Sequence, residues 1–324
     1  MTLERGEQIE TKETAMSRAH ELLPIPPRDE PEEPIPGMEL TDRHREELDM
    51  SERFIPGPTH GSQEAPDVRV LLYRPKGMKG RLPILLHFHG GAFCFMHPES
   101  FAGMEANWSL GHRCVVVSID YRLAPEHPFP AGSEDCYAGL LWVVANADEL
   151  EVDLDRLVVT GGSAGGALSA AVTLMARDRG GPKIASQALM IPVLDDRLRT
   201  PSHHQSVDAP GFNAAGNEGM WLHYLGEDAD RGKTSPYAAP ARAEDLSGLP
   251  PAFIQTNGLD PLRDEGIEYA LRLLAAGVSV ELYNCPGAYH GAPPLDERAA
   301  TLAFQVYNGA IGAALNPDTP TSGF

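Results

Sequence analysis

The sequence predicts an α/β protein, a largely parallel and buried β-sheet wound by helices. Three observations predict it. Short runs of β-branched and other apolar residues recur from about residue 66, apolar on both faces. Longer stretches with helical spacing of apolar residues lie between many of them. The chain has 324 residues, 42% hydrophobic and 22% charged, enough for one large domain of this kind with additions.

In chain order, residues 1–23 place Ile9, Met16 and Leu23 at helical spacing. The run from Pro24 to Pro36 (PIPPRDEPEEPIP) excludes helix and central strand, because proline lacks an N–H and fixes φ. It reads as an extended connector to a second short helix near Thr41–Arg53. Strands are then predicted at Val68–Tyr73, Pro83–Phe88, Cys114–Ile119, Leu157–Thr160, Ala188–Ile191, Ala252–Thr256 and Val278–Tyr283. Helices are predicted at Glu134–Ala147, Ala164–Ala176, Arg263–Ala276 and Asp296–Ala314. The interval Arg197–Lys233, rich in His, Gly, Asn and aromatic residues, breaks this rhythm and reads as an insertion. The expected organisation is an N-terminal segment 1–55, a core in two parts (56–196 and 234–315) around the insertion 197–233, and a frayed polar tail 316–324. No period of 20–50 residues marks a repeat protein.

The formal net charge is −20, from 46 acidic and 26 basic side chains. A field of that sign repels nucleic-acid phosphates and anionic lipid, and leaves neutral or cationic small molecules as partners. The first 24 residues are charged throughout, with no apolar core of a signal peptide, and no run reaches the roughly 20 apolar residues that span a bilayer. Cys94, Cys114, Cys136 and Cys285 are scattered without a CxxC pair, which fits free thiols in a reducing cytoplasm.

The strongest local signal is Leu157-Val-Val-Thr-Gly161-Gly-Ser163-Ala-Gly165-Gly, a G-x-S-x-G set between a strand and a helix. A serine that must meet both a base and a carbonyl has to project from a sharp turn. Strand and helix then run so close that the positions two before and two after it cannot carry large side chains. Gly161 and Gly165 meet that need. Ala164, opening the helix, would aim its N–H at a developing oxyanion, with the helix terminus adding a favourable field.

Upstream, the strand Pro83–Phe88 runs into His89-Gly90-Gly91-Ala92. Acyl transfer needs two or three fixed N–H donors, and glycine lets backbone approach a ligand closely, so Gly90 and Gly91 are the candidates beside Ala164. His87 and His89 alternate onto one strand face, but no third metal ligand stands near them; His89 is expected to brace the loop. Past the strand Ala252–Thr256 comes Asn257-Gly-Leu-Asp260, where a carboxylate can reach a histidine and fix its tautomer. Asp264 and Glu265 fall in the next helix's first turn, where they would complement its dipole. Past the last strand, Cys285-Pro-Gly-Ala-Tyr-His290-Gly places a histidine where a base belongs. The expected set is Ser163, Asp260 and His290, in that chain order.

These residues resemble the hormone-sensitive-lipase family of α/β-hydrolases. His89–Ala92 is similar to its HGG-x oxyanion motif, Tyr121-Arg-Leu-Ala-Pro-Glu126 to its YRLAPE segment, Gly161–Gly166 to its G-x-S-A-G-G elbow, and Asp260-Pro-Leu-Arg-Asp-Glu265 to its acid motif. The resemblance runs from about Leu71 to Gly291. It implies the α/β-hydrolase fold with an eight-stranded type of sheet, and a helical cap built from the N-terminal segment and the insertion. It also makes Arg122 and Glu126 structural. The stretch Ser235–Gly291 further resembles the bacterial heroin-esterase group of acetylesterases, which implies small acyl groups and bulky alcohols. Two positions depart from the family: Gly162 stands where Asp or Thr often precedes the nucleophile, and Ala92 where a third glycine is common.

The resemblance therefore implies a serine carboxylesterase acting on small-molecule esters, with no metal or organic cofactor, and with a homodimer as an open option. Two rivals share the fold: a lyase such as the isoflavanone dehydratases, and a non-catalytic receptor such as the gibberellin receptors. The receptors lack the base histidine that stands here as His290.

Overall fold

The computed structural model describes residues 18–26, 35–60, 63–226, 229–292 and 296–318. Its centre is an eight-stranded sheet. The strands are β1 (Leu48–Ile55), β4 (Val68–Pro75), β5 (Leu82–Phe88), β6 (Val115–Asp120), β7 (Val152–Gly162), β8 (Ser186–Met190), β9 (Ala252–Asn257) and β10 (Val280–Cys285). Two two-residue strands, β2 (Thr59–His60) and β3 (Gln63–Glu64), form a separate ladder. The order is β1-β4-β6-β5-β7-β8-β9-β10. β4 runs antiparallel to both β1 and β6, and every pair from β6 to β10 is parallel. The parallel strands β5, β6 and β9 are buried almost along their whole length, as strands covered on both faces must be.

Helices α4 (Ala131–Ala145), α5 (Ala164–Asp178) and α8 (Arg263–Ala275) cover one face. Helices α3 (Ala102–His112) and α9 (Glu297–Leu315) cover the other. The alternation is direct in β6, where Val115 and Val117 join the α4–α5 core while Val116 joins the α3–α9 core. Arg122 forms a bidentate pair with the fully buried Asp135 of α4, at 2.7 and 2.8 Å, which ties the YRLAPE segment to the core.

The segment near Thr41–Arg53 departs from expectation. Only Asp42–Glu47 (α2) is helical, capped by the Thr41 side chain, and Leu48–Ile55 is the edge strand β1, paired with β4 over its full length. The sheet thus begins inside the range read from sequence as the N-terminal segment. Helix α3, which the sequence pattern did not mark, mixes apolar and polar residues around its circumference and buries several of both kinds.

Of the helix expected over residues 1–23, residues 18–22 are helical (α1) and residues 1–17 lie outside the described residues; so do 27–34 of the proline run and 319–324 of the tail. The insertion holds α6 (Pro201–Gln205) and α7 (Ala214–Leu225). α1 and the residues after it pack on α7. His223 Nε2 donates to the Leu23 carbonyl at 3.1 Å, and Arg18 pairs with Glu218. A Cβ on Gly219 would stand 2.9 Å or less from the Leu22 and Leu23 Cβ atoms, so only glycine admits this approach. Among the described residues no helix is long and apolar enough to cross a membrane.

Candidate active site

The parallel strands deliver their C-terminal ends to one edge, and the predicted residues meet there. β7 ends at Gly162 and α5 begins at Ala164, so Ser163 alone makes the turn, with φ 55° and ψ −117°. That left-handed conformation costs a non-glycine residue about 1–3 kcal/mol and persists only when neighbours hold it. They do. The Ser163 N–H donates to the Met190 carbonyl at 2.8 Å, and the Ser163 carbonyl accepts from Val193 at 3.1 Å. A Cβ at Gly161 or Gly165 would collide with backbone, in both cases including the Phe88 carbonyl, which is the close approach the G-x-S-x-G spacing implied.

Ser163 Oγ lies 2.9 Å from His290 Nε2, and His290 Nδ1 lies 2.7 Å from Asp260 Oδ2. Asp260 is buried, and its Oδ1 accepts the Leu262 N–H at 2.8 Å. With Nδ1–H donating to that carboxylate, Nε2 is left to accept the serine proton. The two loops are laced together. Gly258 N–H donates to the Cys285 carbonyl, Leu259 N–H to that of Ala288, and Asn257 Nδ2 to that of Tyr289, all within 2.9 Å. Asn257 was not singled out from sequence. Its only signal is its place at the end of β9.

The backbone N–H groups of Gly90, Gly91 and Ala164 donate to no protein acceptor among the described residues. Gly91 has φ +109°, and a Cβ there would strike the Phe95 carbonyl, so glycine is required. His89 does brace this loop. Its Nδ1 donates to the Gly90 carbonyl at 2.7 Å, its ring stacks on Tyr121 at 4.2 Å, and the Tyr121 hydroxyl donates to the His89 carbonyl. His87 meets a different partner, the buried Glu105 of α3, at 2.6 Å. The two histidines thus serve separate contacts.

Burial lowers the His89 pKa from 6.5 to about 3, despite its bond to the Gly90 carbonyl. The folded state keeps this imidazole neutral where the unfolded chain would protonate it. Its stability contribution is therefore complete above pH 6.5 and is lost as pH falls toward 3, by about 1.4 kcal/mol per unit. Denaturant titrations at pH 7 and pH 4.5 are expected to show a shallower acid loss in His89→Asn than in the parent, by about one proton. An identical slope would remove His89 as its source.

Asp264 and Glu265 fall in the first turn of α8 as expected, and both also hold the backbone of other segments. Asp264 accepts the Ser202 N–H at 2.7 Å, anchoring α6. Burial opposes its ionisation, but Arg263 and Ser202 outweigh it and hold the carboxyl below its usual range. Glu265 accepts the Leu194 and Asp195 N–H groups, and burial raises its carboxyl well above the usual range. From the insertion, Phe212 lays its ring 4.7 Å from that of His290, a contact no sequence pattern pointed to.

A cavity of about 420 Å³ adjoins this arrangement. Met38, residues of α3 and α9, and Met190, Ile191, Asn257 and Gly291 line it. Ser163 and His290 stand outside its wall, but each has an immediate link to it: Met190 accepts the Ser163 N–H, and Gly291 follows His290.

A strained serine between strand and helix, hydrogen-bonded through histidine to a buried carboxylate beside free N–H donors, defines a hydrolase elbow. The chain belongs to the alpha/beta hydrolase fold family, whose model matches residues 85–293, and to its hormone-sensitive-lipase-like branch. It is 42% identical over 247 residues to carboxylesterase NlhH of Mycobacterium tuberculosis, covering 76% of each chain. It is 36% identical over 223 residues to an arylesterase of Saccharolobus solfataricus, covering 68% of this chain and 72% of the other. Among solved structures it is similar to a bacterial heroin esterase, with TM-score 0.77 and 43% identity over 83% of this chain and 84% of that one.

Proposed function

We propose that this protein is a serine carboxylesterase that hydrolyses short-acyl esters of small molecules through an acyl-enzyme intermediate. The unbroken run Ser163–His290–Asp260 carries the reading, on a chain 42% identical to a carboxylesterase. His290 Nε2 takes the Ser163 proton as Oγ attacks the ester carbonyl, while Asp260 holds the imidazolium. The N–H groups of Gly90, Gly91 and Ala164 receive the oxyanion. His290 returns the proton to the alcohol oxygen, and the alcohol leaves. The same histidine then activates water against the acyl-enzyme, which frees the acid and restores Ser163.

The leaving oxygen must come within reach of His290 Nε2, so the alcohol portion lies toward the His290 loop. The cavity bordered by Ala288 and Gly291 of that loop then receives it. We place a cap, drawn from the N-terminal segment and the insertion 197–233, over His290, whose ring Phe212 approaches to 4.7 Å. Two further proposals belong to the same reading. The buried cysteines Cys114, Cys136 and Cys285, none of them in a disulfide, suit a cytoplasmic location. The edge strand β10, with its exposed Leu282, and the exposed Leu271 and Leu274 of α8 offer a second copy of the chain a place to pair as a homodimer.

A p-nitrophenyl ester series from acetate to palmitate tests the function. Acyl groups of about two to six carbons are expected to lead, an expectation by family analogy. Matched esters with neutral or cationic alcohols should outperform anionic ones, by a margin that shrinks with salt, because the chain carries a net charge of −20. Best activity on emulsified long-chain triglyceride would overturn the reading.

A further inference from the structure

One wall of the cavity holds a polar group whose needs the protein does not meet. Gln255 stands in the middle of β9, hydrogen-bonded through its backbone and 7% exposed, and its side-chain Oε1 has no partner among the described residues. It shares a sheet face with Phe253, whose ring lies 6.0 Å from that of Tyr307. Both Gln255 and Tyr307 line the cavity.

Other polar side chains of the wall have partners. Asn257 Nδ2 donates to the Tyr289 carbonyl, Asn308 accepts from Trp108 Nε1 and donates to the Phe304 carbonyl, and Asn107 Oδ1 accepts from His44 Nε2. His44 is the donor there because its Nδ1 already accepts the Thr41 N–H. The rest of the wall is mainly apolar: Met38, Met104, Met190, Ile191, Ala303 and Phe304. A buried amide oxygen without a protein donor is costly in such surroundings, so a bound group able to donate to it is favoured. The last torsion of a glutamine side chain is soft, so the amide can turn its oxygen toward a guest.

We infer that Gln255 is a specificity residue that selects esters whose alcohol portion carries a hydroxyl or another hydrogen-bond donor. This rests on the esterase reading and on the placement of the alcohol in this cavity. A site built to bond a hydroxyl rejects the matched compound lacking it far more strongly than an apolar pocket separates two alkyl chains.

The test compares ω-hydroxyalkyl acetates of two to six carbons with n-alkyl acetates of equal heavy-atom count, for example butane-1,4-diol monoacetate against pentyl acetate. In the parent protein the hydroxyl-to-alkyl ratio of kcat/KM is expected to peak at one chain length. In Gln255→Leu that peak should fall about five- to thirtyfold, with alkyl acetate turnover kept or raised. Gln255→Met serves as a second variant should leucine disturb the sheet, and the melting temperature of each is recorded beside the ratio. An unchanged ratio at every length, or an equal loss on both series, overturns the inference and leaves Gln255 a structural residue. Absence of any acetate hydrolysis by the parent would overturn the esterase reading instead, and the two failures are separable on one plate.

Discussion

Ser163→Ala is expected to abolish ester hydrolysis, by about 10⁴-fold or more in kcat, while the chain folds as before. The elbow itself gives the reason for normal folding. The bonds that hold it run through the Ser163 backbone, to Met190 and Val193, and among the described residues the hydroxyl bonds only to His290. Removing Oγ therefore deletes the nucleophile without loosening the turn. A fluorophosphonate should label the parent at Ser163, one equivalent per chain, and leave Ser163→Ala unmodified. Labelling of another serine, or full activity in the alanine variant, would refute the assignment.

The second large effect separates three neighbouring carboxylates. Asp260→Asn is expected to lower kcat by roughly 10⁴, because the amide can present a donor to His290 Nδ1 and favour the tautomer whose Nε2 cannot accept the serine proton. Asp264→Asn keeps an oxygen for the Ser202 N–H and loses its charge and its hydrogen bond with Arg263 Nε. Glu265→Gln keeps a carbonyl for Leu194 and Asp195, at a site where burial already favours the neutral form. Both are expected to cost less than about tenfold in kcat and to act mainly on melting temperature. If Asp264→Asn reproduced the loss and Asp260→Asn did not, the acid would have to be reassigned.

Much of this site was legible before any coordinate because each reacting group stands just past a strand of strong apolar pattern. Parallel α/β sheets place their chemistry at those ends. Gly161, Gly165 and Gly91 were legible for a related reason: steric exclusion shows in sequence as glycine. What stayed hidden depends on partners distant in the chain. β1 reads LDMSERFI, with its six inner residues exposed, so no buried face marks it, and only pairing with β4 makes it a strand. Phe212 lies in a segment without periodicity and meets His290 through the fold alone. Gln255 sits inside a correctly predicted strand. Its unmet oxygen is a property of what surrounds it in space, which no window of sequence contains.

The placement of His290 bears on how the protein fails under heat. Its loop follows β10, the last strand of the sheet and one of its two edges, where three of six residues are exposed, two more are only partly buried, and neighbours stand on one side only. Ser163 instead follows β7 in the sheet interior. Edge elements open locally at lower free energy than the centre, and a brief detachment of β10 withdraws the base while leaving the nucleophile in place. Turnover should therefore decline several degrees before the cooperative melt seen by circular dichroism, and should return on cooling from that interval. Clamping the edge, by a covalent staple or by a second subunit bound there, should bring the two temperatures together.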